Sequence, residues 1–217
     1  STSLMKIYEI FKSIQGESTY QGLPCTFIRV SGCNLRCKFC DTQEALKRGT
    51  ELSVAKIIEY IEKAKTNLIE VTGGEPLLQP DIYELLQVLV KKHTVLVETN
   101  GSIDIKDLPP EVIKIIDVKC PSSGMSSFML FSNLNYLSEL DEVKFVIWTK
   151  RDYDYAKEII KKYNLSGKKI LFSPVHKKLS PKKLAKWILE DNLPVRLQIQ
   201  LHKYIFGKKE GITLFRA

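Results

Sequence analysis

No stretch of the chain is apolar over the roughly 18 residues that a membrane-spanning helix needs, so a helical membrane protein is excluded. The opening Ser1-Thr2-Ser3-Leu4 lacks the basic-then-apolar layout of a secretory leader and reads as a cloning remnant before Met5. A cytoplasmic protein is therefore expected. Arginine is scarce, and no basic block carries interleaved aromatic residues. The net charge of +8 thus gives little support to direct nucleic-acid binding. Its lysines are spread along helical runs such as Lys157-Glu158-Ile159-Ile160-Lys161-Lys162, which reads as a solvated face. An anionic substrate or a heat-adapted source would also account for the charge. Internal repeats, low-complexity tracts and linkers are absent as well, which leaves a single domain over 1–217. At 44% hydrophobic and 27% charged residues, the composition is that of an ordinary globular protein. Five cysteines, an odd number, argue against a disulfide framework and suit a reducing compartment.

Short Val/Ile-rich runs alternate with amphipathic helices. The expected strands are Thr26–Val30, Leu68–Thr72, Thr94–Glu98, Ile113–Val118, Glu142–Ile147, Ile170–Ser173 and Arg196–Leu201. The expected helices are Val54–Lys65, Ile82–Lys92, Asp152–Tyr163 and Pro181–Glu190, with Ser53 and Ser180 as N-caps. This alternation predicts an α/β fold with a parallel sheet. The chain is too short for a full eight-fold barrel, so an open, partial (β/α)6 TIM-like barrel is expected. In such a barrel the functional groups gather at the C-terminal strand ends.

The cysteines that matter sit in Gly32-Cys33-Asn34-Leu35-Arg36-Cys37-Lys38-Phe39-Cys40-Asp41, a Cys-x3-Cys-x2-Cys pattern. A structural zinc site wants four protein ligands, and so does a simple electron-transfer [4Fe–4S] cluster. Three thiolates can hold three irons of a cubane and leave the fourth open. A zinc knuckle completed by a distant His or Asp is the blander alternative. One unit downstream, Gly73-Gly74-Glu75-Pro76 follows a strand. Together these motifs resemble the signatures of the radical S-adenosylmethionine (SAM) superfamily. The resemblance implies a [4Fe–4S] cluster on Cys33, Cys37 and Cys40, with the amino group of SAM at Gly73, Gly74 and Glu75. It also implies a 5′-deoxyadenosyl radical that takes a hydrogen atom from the substrate.

The run Ile10-Phe11-Lys12-Ser13-Ile14-Gln15-Gly16-Glu17 narrows the resemblance to the 7-carboxy-7-deazaguanine synthase family of queuosine and deazapurine biosynthesis. Cys40-Asp41-Thr42, Lys119-x-Pro121-Ser122-Ser123-Gly124 and Gln200-Leu201-His202-Lys203 agree with it. The resemblance implies conversion of 6-carboxy-5,6,7,8-tetrahydropterin to 7-carboxy-7-deazaguanine, a ring contraction with loss of ammonia. It implies Mg²⁺ at Thr42, and SAM contacts from Phe39, Asp41, Lys119, Ser122 and Ser173. Ile14, Gln15, Gly16 and Glu17 would meet the pyrimidine edge, with Thr72 facing the same space. Arg29, a cation inside an apolar strand, must meet an acid or a ligand. A bidentate fork to the substrate carboxylate would satisfy it. A homodimer and a flavodoxin or ferredoxin as electron donor are also expected by resemblance. The nearest alternative is a radical SAM activase of a glycyl-radical enzyme. Cys25 and Cys120 read as small, partly buried thiols outside the cluster spacing, and His176 and His202 as structural histidines, with a catalytic role for either as the alternative.

Overall fold

The computed structural model describes residues 4–207 and 211–217. Its strands are β1 (Leu4–Ile14), β2 (Pro24–Val30), β3 (Thr50–Ser53), β4 (Leu68–Gly73), β5 (Thr94–Thr99), β6 (Ile113–Asp117), β7 (Glu142–Ile147), β8 (Lys169–Pro174), β9 (Arg196–Leu197) and β10 (Ile212–Arg216). Its helices are α1 (Val54–Ala64), α2 (Ile82–Leu89), α3 (Lys150–Lys162), α4 (Pro181–Glu190) and α5 (Leu201–Phe206). All the strands form one sheet in the order β10-β1-β2-β4-β5-β6-β7-β8-β9, with β3 added alongside β1. Pairing is parallel from β2 through β9, while β1, β3 and β10 pair antiparallel. The two end strands do not pair with each other, so the α/β barrel stays open, as the six-unit expectation required. The cloning-remnant expectation for Ser1–Ser3 lies outside the described residues; Leu4 already belongs to β1.

The parallel strands read as apolar runs because both of their faces are covered. On the outer face Ile69, Val71, Val95, Val97, Val143 and Phe145 join the helices in the main core. α1 contributes Ile57 and Ile61 to that core. Its N-terminus is held by Ser53, whose hydroxyl accepts from the Lys56 N–H. The inner face alternates with the outer one. Phe11, Cys25, Phe27, Leu68, Leu96, Ile113 and Ile115 form a separate apolar plug, with Phe11 stacked on Phe27 at 5.0 Å. One pleat further along each strand come Arg29, Glu70, Glu98, Asp117 and Lys144. The fold therefore puts a charged layer on top of an apolar floor.

Several boundaries differ from the expectation, each for a local reason. α3 begins at Lys150, because Thr149 and Asp152 form a reciprocal capping box. α2 stops at Leu89, whose carbonyl takes the N–H groups of Lys92 and His93 in a turn toward β5. The expected strand Arg196–Leu201 shrinks to two residues, and Leu201 opens α5 instead. β1 was read only for its chemistry, yet it is the longest strand in the sheet. The crossovers after β5 and β6 carry no α-helix; the second runs through short 3-10 turns.

Ile69 is fully buried in the main core. Ile69→Ala should lower the unfolding free energy by about 3 kcal/mol in urea titrations. Replacing Lys56, in an exposed 2.7 Å pair with Glu59, should leave the midpoint unmoved.

Candidate active site

A cavity of about 460 Å³ opens above the plug, at the C-terminal ends of the parallel strands. Cys33, Cys37 and Cys40 line it from the β2–β3 connection, together with Phe39, Asp41 and Thr42. Ile14, Gln15 and Glu17 line it from the end of β1, and Arg29 from β2. Thr72, Gly73 and Gly74 come from β4, Lys119 follows β6, and Ser173 lies on β8. The sequence scatters these residues; parallel pairing brings them to one mouth.

Three of the expected residues are not among those that line the cavity. Gly16 is buried outside the cavity, its carbonyl taken by Leu201 N–H at 3.0 Å and by Gln21 Nε2. A side chain at Gly16 would run into the His202 ring, so the residue is small to let α5 approach. Ser122 turns toward α3, where its N–H donates to Asp152 and its hydroxyl faces Thr149. Glu75 is fully buried beneath the cavity. Its carboxylate accepts from Leu77 N–H, Thr99 Oγ1 and Asn100 N–H at 3.1, 2.7 and 2.8 Å, which leaves one of its roughly four acceptor sites. Glu75 instead fixes the β5 loop, where Asn100 Nδ2 reaches Cys33 Sγ at 3.8 Å.

The glycine pair, which lines the cavity, also joins two backbones. Gly74 N–H donates to Val30 carbonyl at 3.1 Å, and Glu75 N–H to Gly32 carbonyl at 2.8 Å. These bonds dock the cysteine loop onto the end of β4. A Cβ at Gly74 would sit 1.8 Å from the Gly32 oxygen, and Gly73 holds φ +119. The loop's far side is held by Lys38 N–H on Ser123 carbonyl at 3.1 Å.

Beside the loop lies a layer of charge of which sequence reasoning expected Glu17, Arg29 and Lys119 but missed Glu70, Glu98, Asp117 and Lys144. Lys144 Nζ lies 2.9 Å from Glu17 Oε1 and 3.0 Å from Glu98 Oε1. Burial opposes its charge, but Glu17 and Glu98 outweigh that and hold the ammonium well above its usual range. Lys119 pairs with Asp117 at 2.7 Å. Glu70 accepts from Gln15 Nε2 at 3.1 Å, while Gln15 Oε1 takes the Glu17 N–H at 3.2 Å. The Gln15 amide is thereby locked in one orientation. Arg29 Nε pairs with Glu9 at 3.0 Å, and its guanidinium lies 5.7 Å from the Phe11 ring centroid. Glu70, Glu98 and Lys144, like Arg29, are charges set inside apolar strands. At the rim, α5 brings His202 and Lys203 to the cavity, with Lys203 Nζ 3.6 Å from Asp41. Cys25 and Cys120 are buried away from the motif, and burial pushes both thiols up.

The chain matches the Radical SAM superfamily over residues 27–189. It is 41% identical to 7-carboxy-7-deazaguanine synthase of Koribacter versatilis, covering 93% of this chain and 97% of that protein. The protein of the same name from Chlorobaculum tepidum is 43% identical, covering 94% of each. The chain belongs to the 7-carboxy-7-deazaguanine synthase family of radical SAM enzymes. A crystal structure of QueE from Escherichia coli shares the fold, with a TM-score of 0.76 at 22% identity over 92% of this chain and 95% of that one.

A radical SAM enzyme works with a [4Fe–4S] cluster and SAM, and the cavity of this family member fits both. Three soft thiols face one space, the donor set for iron–sulfur ligation. Among the described residues no three acidic, His or Cys groups converge on a single ion. Asp117 Oδ1 and Ser173 Oγ are buried at the cavity wall without a protein partner, as polar atoms meant for a ligand would be.

Gly74→Ala should displace the cysteine loop, so that anaerobically reconstituted protein keeps little iron and sulfide while its far-UV circular dichroism is unchanged. Retained iron would refute the docking role. A second expectation concerns pH. Burial, then the carboxylates Glu98 and Glu17, lift Glu70 well above its ordinary 4.5. The folded chain thus keeps a proton that the unfolded chain releases, and Glu70 costs stability as pH rises beyond that value. Glu70→Gln should therefore gain stability over the parent chain between about pH 5 and pH 8 in urea titrations.

Proposed function

We propose that this protein converts 6-carboxy-5,6,7,8-tetrahydropterin to 7-carboxy-7-deazaguanine, releasing ammonia, in queuosine or another deazapurine pathway. One observation carries the reading: Arg29, Gln15 and Glu17 line the same cavity as the three cysteines. A cluster-bearing activase would have no use for that polar set.

The substrate is a carboxylated bicycle with an amide-like pyrimidine edge. Arg29, steadied by Glu9 and Phe11, takes the carboxylate. The remaining donor and acceptor capacity of Gln15, the backbone at Ile14 and the Glu17 carboxylate take the pyrimidine edge. Gly16 shapes this segment by admitting α5 rather than by touching the ligand. Thr72 stands between the two groups of contacts. Phe39, braced edge-on by Trp148 at 6.0 Å, and Asp41 flank the adenine of SAM. Lys119, Asp117 and Ser173 hold its polar groups. Thr42 offers a hydroxyl to Mg²⁺, with substrate oxygens and water completing the shell; an ion that keeps its waters needs no protein cage.

When bound, the cluster and SAM supply one-electron chemistry that removes a hydrogen atom from the substrate. The chain's own residues orient the ring, exclude water and handle protons. Loss of ammonia requires a proton at the departing nitrogen. Lys144 Nζ, donating to Glu98 at 3.0 Å, holds one within the cavity. Burial lifts Glu98 above the usual carboxylate range although Lys144 opposes this, while Lys144 stays charged beside it.

The five free cysteines, three of them needed for iron, suit a reducing compartment such as the cytoplasm. The electron comes from a small carrier of the flavodoxin or ferredoxin kind, and the working form is a homodimer. No helix among the described residues is long and apolar enough to cross a membrane.

The test is anaerobic turnover of the reconstituted protein with SAM, Mg²⁺, a reductant and 6-carboxytetrahydropterin. The parent chain should yield the deazaguanine acid. Arg29→Ala should lower kcat/KM by about a hundredfold or more while reductive SAM cleavage persists. Unchanged turnover in the variant would sink the substrate assignment. SAM cleavage without product in the parent chain would point to an activase.

A further inference from the structure

We infer that Gln198 is a positioning residue that sets the preference for an amino group on the pyrimidine edge, by fixing the Ser18 turn that presents Glu17. The inference rests on the assignment of Glu17 to that edge.

Three successive residues of the segment that leaves β1 are each held by a different buried side chain. Glu17 lines the cavity and pairs with Lys144 Nζ at 2.9 Å. Thr19 donates its N–H and its hydroxyl to the two oxygens of Glu142 at 3.0 and 2.8 Å. Glu142 and Lys144 lie two residues apart on β7, so both point to the same face of the sheet. Between them, Ser18 is held by its main chain. Its N–H donates to Gln198 Oε1 and its carbonyl accepts from Gln198 Nε2, both at 2.9 Å. Gln198 is 3% exposed, and its own N–H donates to the Phe172 carbonyl on β8 at 2.9 Å.

The backbone makes this two-point bond necessary. Ser18 holds φ +63, a conformation that a residue other than glycine keeps only when its surroundings enforce it. The residue is also buried, so an N–H and a carbonyl left unpaired there would be costly. The Gln198 amide satisfies both groups in this one conformation. Without it the Ser18 turn relaxes toward negative φ, and the adjoining Glu17 rotates with it. The Glu17 carboxylate then loses its bearing on the ligand.

The rest of the segment does not depend on Gln198. Gln15 N–H donates to the Leu23 carbonyl and Gly22 N–H to the Gln15 carbonyl, both at 2.8 Å. The Gly16 carbonyl accepts from Leu201 N–H and from Gln21 Nε2, which also reaches the Ile199 carbonyl at 3.1 Å. Cutting the Gln198 bonds therefore releases one turn, and the loss falls on what Glu17 does. A pterin offers that carboxylate an amino group and a ring N–H. Lumazine-6-carboxylate carries a carbonyl in place of the amino group, and a carboxylate repels it.

The experiment is anaerobic calorimetry of reconstituted protein with SAM and Mg²⁺, titrated with pterin-6-carboxylate and, separately, with lumazine-6-carboxylate. The parent chain should prefer the pterin. Gln198→Met, which keeps the length and removes the amide, should weaken pterin-6-carboxylate by about tenfold and leave lumazine-6-carboxylate unchanged. Gln198→Asn, with its amide drawn back by one methylene, should narrow the preference in the same direction. On a Glu17→Ala background, Gln198→Met should change neither affinity. Equal weakening of both ligands, an unmoved preference, or the same loss on the Glu17→Ala background would overturn the inference. A parent chain that binds both ligands equally would overturn the Glu17 assignment itself, a result distinct from any of those.

Discussion

Lys144 stands inside the barrel, 6% exposed, with Glu17 and Glu98, among the described residues, within ion-pair distance. A cation so placed is tolerable only while both carboxylates stay in reach. That requirement reaches across the fold. Glu98 is delivered by β5, Lys144 by β7, and Glu17 by the segment that leaves β1. Glu17 is held by Gln15, and Gln15 in turn by Glu70 on β4. One buried charge thus ties four strands to a single arrangement of the cavity wall. The apolar plug below it keeps water from the other end.

Above this layer the constraints are of another kind. The cysteine loop has no regular structure of its own and takes its shape from what it leans on. Val30 and Gly32 carbonyls receive N–H groups from Gly74 and Glu75, and Ser123 receives one from Lys38. Glu75 serves from beneath by holding Thr99 and Asn100. The motif that reads as a ligand-binding signature is therefore also a piece of carpentry. Its glycines are needed because two backbones meet there, and its acid because a third loop must be fixed beside them.

How much of this the sequence discloses depends on the type of signal. The cysteine spacing is local, so the cluster loop was legible at once. The parallel strands were legible because their apolar runs are continuous, and Ser53 and Ser180 announced two helices by their caps. β1 and β10 were not legible. β10 is held by pairing with β1, an association across the whole chain that no local pattern records, and β1 is fixed by β2, β3 and β10 together rather than by its own pattern. α5 was hidden for a similar reason: it is short and depends on the bond from Leu201 to Gly16. Glu75, Ser122 and Gly16 lie off the cavity wall, because a motif gives the residue type but not where the fold places it. Glu70, Glu98 and Lys144 could have been found, since each interrupts an apolar strand as Arg29 does.

The central claim is that one cavity holds the cluster loop and a carboxylated pterin in a fixed orientation. An anaerobic crystal structure of the reconstituted protein with SAM and 6-carboxytetrahydropterin tests it most directly. The account predicts iron on Cys33, Cys37 and Cys40, the carboxylate on Arg29, and the pyrimidine edge against Gln15 and Glu17. A ligand bound elsewhere, or turned so that its pyrimidine edge meets Arg29, would contradict it.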